Sequence, residues 1–228
     1  MDDKAVLKAG TQVSYTSNVI ITAEQPKFVC RAGLKLEAAL DHFNVSVEGL
    51  TALDSGLSTG GFTDCMLQRG ASRVIGVDVG YGQVAEKIRV DPRVTVMERT
   101  NLRHVRKADL ALQAPIDIVT LDVSFISSLK MREAVCDVIR EDGEGGLMLL
   151  IKPQFEAGKA EVGTGGVVRD PQVRAAVVDS VIKGWEEVGF RCQGWMESPI
   201  KGAASGNTEY LAYFLYTSSS SRNGEEVV

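Results

Sequence analysis

Short apolar runs recur along this chain, and segments with helical spacing separate them. Residues 147–151, Leu147-Met148-Leu149-Leu150-Ile151, are the plainest run, and 116–121 is a second. A run of that length without polar alternation marks a strand buried on both faces. Such strands belong to parallel sheets, because each parallel crossover lays a helix over the sheet. The pattern therefore predicts an α/β fold with a mostly parallel sheet covered on both sides. Helix is predicted over 34–43, 63–68 and 129–139, and strand over 50–53, 74–77 and 94–97. Asp170 before Pro171 reads as a helix start, with Asp as cap and Pro in the first turn. That helix should run to about Val188 and stop at Gly189. Residues 190–196 and 210–216 follow each other without a helix, so they are predicted to pair antiparallel.

The 228 residues suit one large α/β domain with a small appendage. Residues 1–30 read as a β-rich piece with a short strand at 19–22, too short to fold alone. Residues 31–216 form the main domain, and 217–228, with Ser218 to Ser221, read as a disordered tail. Hydrophobic residues make up 44% and charged residues 24%, enough to bury a core without disulfides. Cys30, Cys65, Cys136 and Cys192 are scattered with no CxxC spacing, and His42 and His104 complete no ligand pattern. Reduced thiols in an intracellular protein are expected, with no metal site. No run is long enough for a membrane helix, and Met1-Asp2-Asp3-Lys4 opens neither a secretory signal nor a transit peptide. A cytoplasmic location is expected, or an organelle if the N-terminus is incomplete. The net charge of −5 gives little general hold on nucleic acid.

Chemistry concentrates first in the loop after the 50–53 strand, Leu53-Asp54-Ser55-Gly56-Leu57-Ser58-Thr59-Gly60-Gly61-Phe62. Gly56, Gly60 and Gly61 permit close backbone approach. The spacing is neither GxGxxG nor a P-loop, so a phosphate clasp is not indicated. A ligand with an amino-acid end suits it better, and S-adenosylmethionine is such a ligand. The next strand ends at Asp78, where a carboxylate can accept hydrogen bonds from both ribose hydroxyls of an adenosine. Asp54, Gly56, Ser58, Thr59, Gly60, Gly61, Phe62 and Asp78 are the expected cofactor residues. Asn101 joins them, either beside the adenine or as a turn former.

Further along, Lys35 in Arg31-Ala32-Gly33-Leu34-Lys35-Leu36, Asp122 in Leu121-Asp122-Val123-Ser124-Phe125, Lys152 in Ile151-Lys152-Pro153-Gln154-Phe155-Glu156, and Glu209 in Gly206-Asn207-Thr208-Glu209-Tyr210 occur in that order. This set resembles the Lys-Asp-Lys-Glu tetrad of FtsJ-like ribose 2′-O-methyltransferases. Ser58 to Asp64, Arg99-Thr100-Asn101, Gly165 to Pro171 and Ser198-Pro199-Ile200 are similar to the haemolysin A (TlyA) branch. The resemblance covers roughly residues 5–216. It implies a Rossmann-like methyltransferase fold, with seven strands and an antiparallel last strand, that binds S-adenosylmethionine. It also implies cytidine 2′-O-methylation in ribosomal RNA, with rRNA in a ribosomal subunit as partner and neither membrane nor metal involved. Members of the branch carry an S4 RNA-binding domain first; residues 1–30 resemble only its last part and the linker.

The chemistry explains the residue types. A sulfonium already activates the methyl group, so the protein must align the attack and take a proton from a weakly acidic hydroxyl. A lysine serves as base only where its pKa falls, which a second cation and partial burial both promote. Lys35 and Lys152 are candidates to do this to each other. Lys152 is assigned as base, Asp122 as its orienting partner, and Lys35 and Glu209 as positioning groups. Asp122 and Lys152 end neighbouring buried strands, so both should face one crevice. The glycine-rich stretch 158–169, with Lys159 and Arg169, reads either as a cover for the site or as a mobile connector. Arg103, Arg106 and Lys107 read as a phosphate contact or, more simply, as a solvated face. Three other functions fit parts of the chain: a nucleoside-binding protein without catalysis, a membrane-active haemolysin, and a small-molecule O-methyltransferase.

Overall fold

The computed structural model describes residues 6, 10–18, 20, 26–110, 115–202 and 206–217. The expected strand at 19–22 and the tail beyond Thr217 lie outside the described residues. Strands β1 (Thr51–Ser55), β2 (Arg73–Val77), β3 (Val94–Met97), β4 (Ile118–Leu121), β5 (Gly146–Ile151), β6 (Phe190–Glu197) and β7 (Tyr210–Tyr216) form one seven-stranded sheet in the order β3-β2-β1-β4-β5-β7-β6. β1 to β5 pair in parallel, and β7 lies antiparallel between β5 and β6. The expected fold class is the one observed.

The apolar runs become two-faced strands because side chains alternate across the sheet. Leu147, Leu149 and Ile151 enter one core, with Trp185 and Phe190, while Met148 and Leu150 enter the other. Helices α1 (Ala32–His42), α2 (Gly61–Gln68) and the four-residue α3 (Glu86–Arg89) cover the second face. Helices α4 (Arg132–Val138), after a 3₁₀ turn at Ser128–Met131, and α6 (Pro171–Glu186) cover the first, and α5 (Pro153–Glu156) is a single turn after β5. Asp170 caps α6 as expected, accepting from the Gln172 N–H at 2.8 Å.

Several boundaries differ from the sequence expectation: α1 spans Ala32–His42 against 34–43, α2 opens at Gly61 against 63, and α4 spans Arg132–Val138 against 129–139. β1 runs on through Asp54 and Ser55, both buried. β4 begins at Ile118, and Ile116 makes only an isolated bridge to Ile139. Phe28 is already buried in the core, so the packed domain takes in residues before 31. The Val29 N–H donates to Asp64 at 2.8 Å, which pins that entry segment to α2.

The strand order reverses between β1 and β4. Ligands of open α/β sheets sit outside the carboxyl ends of the strands at such a reversal. Gly56, Asp122 and Lys152 all follow the carboxyl ends of central strands.

Candidate active site

Asp122 follows β4 and Lys152 follows β5, two strands paired in parallel, so the chain delivers both side chains to one crevice. Lys152 Nζ stands 2.5 Å from Asp122 Oδ1 and donates to Ser124 Oγ at 2.8 Å. Lys35, on α1, and Glu209, just before β7, pair at 2.5 Å between Nζ and Oε2. Lys35 is 7% exposed, Lys152 9% and Glu209 3%. Charges so enclosed are costly unless paired and hydrogen-bonded, and removing one partner is strongly destabilising. Each lysine therefore has its own carboxylate, and the two cations do not face each other bare. Burial pushes the Asp122 carboxyl up, against the opposing pull of the Lys152 and Lys35 ammonium groups.

These four residues line one cavity of about 550 Å³, together with Gly56 and Ser58. A second cleft, of about 370 Å³, is lined by Ser55, Asp78, Gly80, Thr100, Asn101 and Asp122 among others. Gly56, Ser58, Asp122, Ser124 and Phe125 border both, so the two spaces meet at the tetrad. A cofactor in the cleft would thus present one end to an acceptor in the cavity.

The cleft fits S-adenosylmethionine on its own chemistry. Gly56 has φ +87°, and a Cβ there would stand 2.3 Å from the Asp122 carbonyl oxygen, so only glycine lets the loop pass so close. Asp78 accepts from the Gly80 N–H at 2.6 Å and the Ser58 N–H at 2.7 Å, which fixes its carboxylate beside the cleft. Asn101 is a turn former, its side chain accepting from the Arg103 N–H at 3.1 Å, and it also lines the cleft.

Five of the expected cofactor residues line neither space, because the loop turns them inward. Thr59 accepts from the Ala85 N–H at 3.1 Å through its carbonyl. Gly60 packs against Ile88, Gly61 packs against the Cys30 thiol, and Phe62 is buried in the core. Asp54 lies under the loop, where the hydroxyls of Thr63 and Thr120 donate to its two oxygens at 2.7 Å each. It also accepts the backbone N–H of Thr63, one of the unpaired donors at the start of α2.

Burial raises the Asp54 carboxyl from 3.8 to about 6, although both threonine bonds pull it down. Between pH ~4 and ~6 the unfolded chain has lost this proton while the native chain keeps it, so stability falls as pH rises through that window. Asp54→Asn should remove this fall. The stability of the variant relative to wild type should rise by about 2 kcal/mol from pH 4 to pH 7, read by denaturant melts at each pH. A difference that stays level with pH would show that Asp54 is not buried as an acid.

Other expectations fall into place by location. Gly165 and Gly166, in the 158–169 stretch, border the tetrad cavity. Asn207 ties that stretch down, donating to the Gly166 carbonyl at 2.8 Å and accepting from the Val168 N–H at 3.0 Å. Arg106 pairs with Glu133 at 2.6 Å and the Lys107 N–H donates to Asp137, so carboxylates flank the 103–107 cluster as on a solvated face.

The sequence reading passed over Ser124, Gln154 and Phe125. Gln154 donates to Glu209 Oε1 at 3.3 Å, extending the Lys35 pair. Phe125 has φ +63°, is 90% exposed, and its ring lies 5.0 Å from that of Phe155. A bulky residue held in that backbone region and open to solvent points to function. The available signal was position: Ser124 and Phe125 follow Asp122 directly, and Gln154 follows Lys152 by two.

A seven-stranded sheet with this order, a glycine loop after the first strand and an acid after the second defines a Rossmann-like S-adenosylmethionine-dependent methyltransferase fold. A methyltransferase of that class from Mesorhizobium loti shares the fold at 15% identity, TM-score 0.56, over 78% of this chain and 96% of its own. Residues 28–216 match the model of the FtsJ-like methyltransferase family, and the chain belongs to that family. It is 42% identical over 214 residues to the 16S/23S rRNA (cytidine-2′-O)-methyltransferase TlyA of Mycobacterium tuberculosis, covering 93% of this chain and 78% of that one. A solved Lactococcus lactis protein that carries the name hemolysin is 45% identical, with TM-score 0.79 over 84% of this chain and 89% of its own. The family's methyl donor is S-adenosylmethionine. Among the described residues, no helix is long and apolar enough to cross a membrane, and no His, Cys, Asp and Glu side chains cluster as metal ligands.

Proposed function

We propose that this chain methylates the ribose 2′-hydroxyl of a cytidine in ribosomal RNA, presented within a ribosomal subunit. The observation that carries the reading is the meeting of the tetrad with the cofactor cleft at Gly56 and Asp122. Bound S-adenosylmethionine supplies a methyl group on a positively charged sulfur. In the proposal, Lys152 would take the 2′-hydroxyl proton and so ready the oxygen to accept the methyl group that the bound donor would supply. Asp122 orients Lys152, and the Lys35–Glu209 pair positions the ribose. Asp78 and Asn101 hold the adenosine end of the cofactor, while Gly56 and Ser58 border its reactive end.

Three features favour RNA over a small acceptor. The tetrad cavity is open and continues to the glycine stretch at 165–166. Phe125 offers an exposed ring at its mouth, the kind of surface on which an unstacked base rests. The TlyA relative named above acts on cytidine in rRNA. The net charge of −5 favours an acceptor recognised by shape, as in an assembled subunit, over loose RNA held by charge. In the same proposal, the segment ahead of the packed domain is the end of an S4-like module and its linker, the packed domain through residue 216 is catalytic, and the cytoplasm is the place of action.

The test is transfer of labelled methyl to ribosomal subunits, deproteinised rRNA, short oligonucleotides and small phenols at fixed salt. Subunits should be methylated fastest, oligonucleotides slowest and phenols not at all. The label should survive alkali in a dinucleotide whose 5′ member is 2′-O-methylcytidine, because a methylated 2′-oxygen cannot attack the neighbouring phosphate. Equal rates on all RNAs would remove the subunit from the proposal, and label on a base or a phenol would remove the ribose.

A further inference from the structure

We propose that Ser124 is a positioning residue for the methyl transfer, holding the Lys152 amine so that its lone pair faces the acceptor hydroxyl. The inference rests on the reading of Lys152 as base. A lysine ammonium carries three donors. The neutral amine, the only form that can accept a proton, carries two N–H groups and one lone pair. Lys152 Nζ has two acceptors within reach, Asp122 Oδ1 at 2.5 Å and Ser124 Oγ at 2.8 Å. When the amine is neutral, these two take its two N–H groups. The lone pair then points along the one remaining direction. With Asp122 alone, the amine turns about its Cε–Nζ bond and the lone pair spends much of its time pointing elsewhere.

Ser124 is placed for this role and for little else. It is exposed and borders both the cofactor cleft and the tetrad cavity, so it contributes no packing to the core. The loop that presents it is specified by its neighbours. Phe125 adopts a left-handed backbone, φ +63°, which a bulky residue takes only where its surroundings require it. On the other side, the Asp122 N–H donates to the Ser55 carbonyl at 2.9 Å, tying the start of the loop to β1. The hydroxyl thus reaches Lys152 from a fixed backbone. Orientation of a reacting group is worth a large part of a barrier, and a hydrogen bond that sets it is worth about tenfold in rate.

The experiment compares Ser124→Ala, Ser124→Thr and Lys152→Arg with wild type. Methyl transfer to purified small and large ribosomal subunits is measured at saturating S-adenosylmethionine. Ser124→Ala should lower kcat about tenfold, with KM for the subunits and the melting temperature unchanged. Ser124→Thr keeps the hydroxyl and should restore most of kcat. Three results would overturn the proposal: wild-type kcat in Ser124→Ala, a raised KM with kcat retained, or a Thr variant as slow as the Ala variant. Lys152→Arg separates the two readings. An inactive Arg variant beside a fully active Ser124→Ala leaves Lys152 as base and removes Ser124, whereas an active Arg variant removes both.

Discussion

Lys152→Arg should abolish methyl transfer, by ~10²–10⁴-fold or more, while cofactor affinity stays within a few-fold of wild type. General-base catalysis contributes about that much. Arginine keeps the positive charge and can still pair with Asp122, so the electrostatics of the cavity are largely preserved. What it lacks is a proton it can give up at working pH, and hence a lone pair to offer. Lys152 lines the tetrad cavity and does not line the cleft where Asp78 and Asn101 stand, which is why binding should survive. Lys152→Ala should be equally inactive, though it leaves Asp122 without its 2.5 Å partner and loses some stability. Single-turnover transfer and calorimetry with S-adenosylmethionine read the two effects separately. An Arg variant within tenfold of the wild-type rate would make Lys152 a positioning group and place the base elsewhere.

Gly56→Ala should reduce kcat/KM by about 10² or more and weaken cofactor binding, without unfolding the chain. The added Cβ would stand 2.3 Å from the Asp122 carbonyl oxygen, 2.7 Å from its carbon and 3.3 Å from the Val123 nitrogen. These are backbone atoms and cannot swing aside. The Gly56 N–H is tied to the Val77 carbonyl at 3.0 Å, so the loop cannot retreat freely either. Something must shift by the order of an ångström, and Asp122 moves with it, displacing Lys152. A shift of that size costs about 10² in rate. Gly82→Ala is the control. Gly82 also has a positive φ, +70°, but a Cβ there meets nothing within 4 Å. It should carry only the ~1 kcal/mol dihedral cost and retain activity. Equal activity in the two variants would mean that the cofactor loop and Asp122 are not coupled through this contact.

Much of the architecture is local, and so could be read along the chain. Burial on both faces makes β5 continuously apolar, and Asp170 with Pro171 starts α6 through their own backbone preferences. The tetrad could be named as an ordered set because each member sits in a recognisable word, and two of those words end apolar strands. The glycine loop was legible as a place of close backbone approach, but not as to which of its residues face the ligand. Gly60, Gly61 and Phe62 turn into the packed interior because α2 starts at Gly61 and packs on α1, a contact between distant segments. The four-residue α3 and the 3₁₀ turns are too short for any periodicity to reveal.

The α/β class, the parallel centre of the sheet and the crevice beyond β4 and β5 were legible from burial, spacing and chain order. The four charged residues were legible only through their resemblance to the FtsJ-like tetrad. Tertiary structure alone decided how the charges pair, because Lys35 and Glu209 lie 174 residues apart and meet only when β7 inserts beside β5. It likewise decided that Asp54 and Ser55 extend β1, since a buried carboxylate there depends on hydroxyls from Thr63 in α2 and Thr120 in β4. Ser124 is the same case: a serine in an exposed loop acquires a role only when the neighbouring strand brings Lys152 to 2.8 Å from its hydroxyl. Pairing across a sheet is fixed by strand order, and strand order is a property of the whole packed chain that no local stretch encodes.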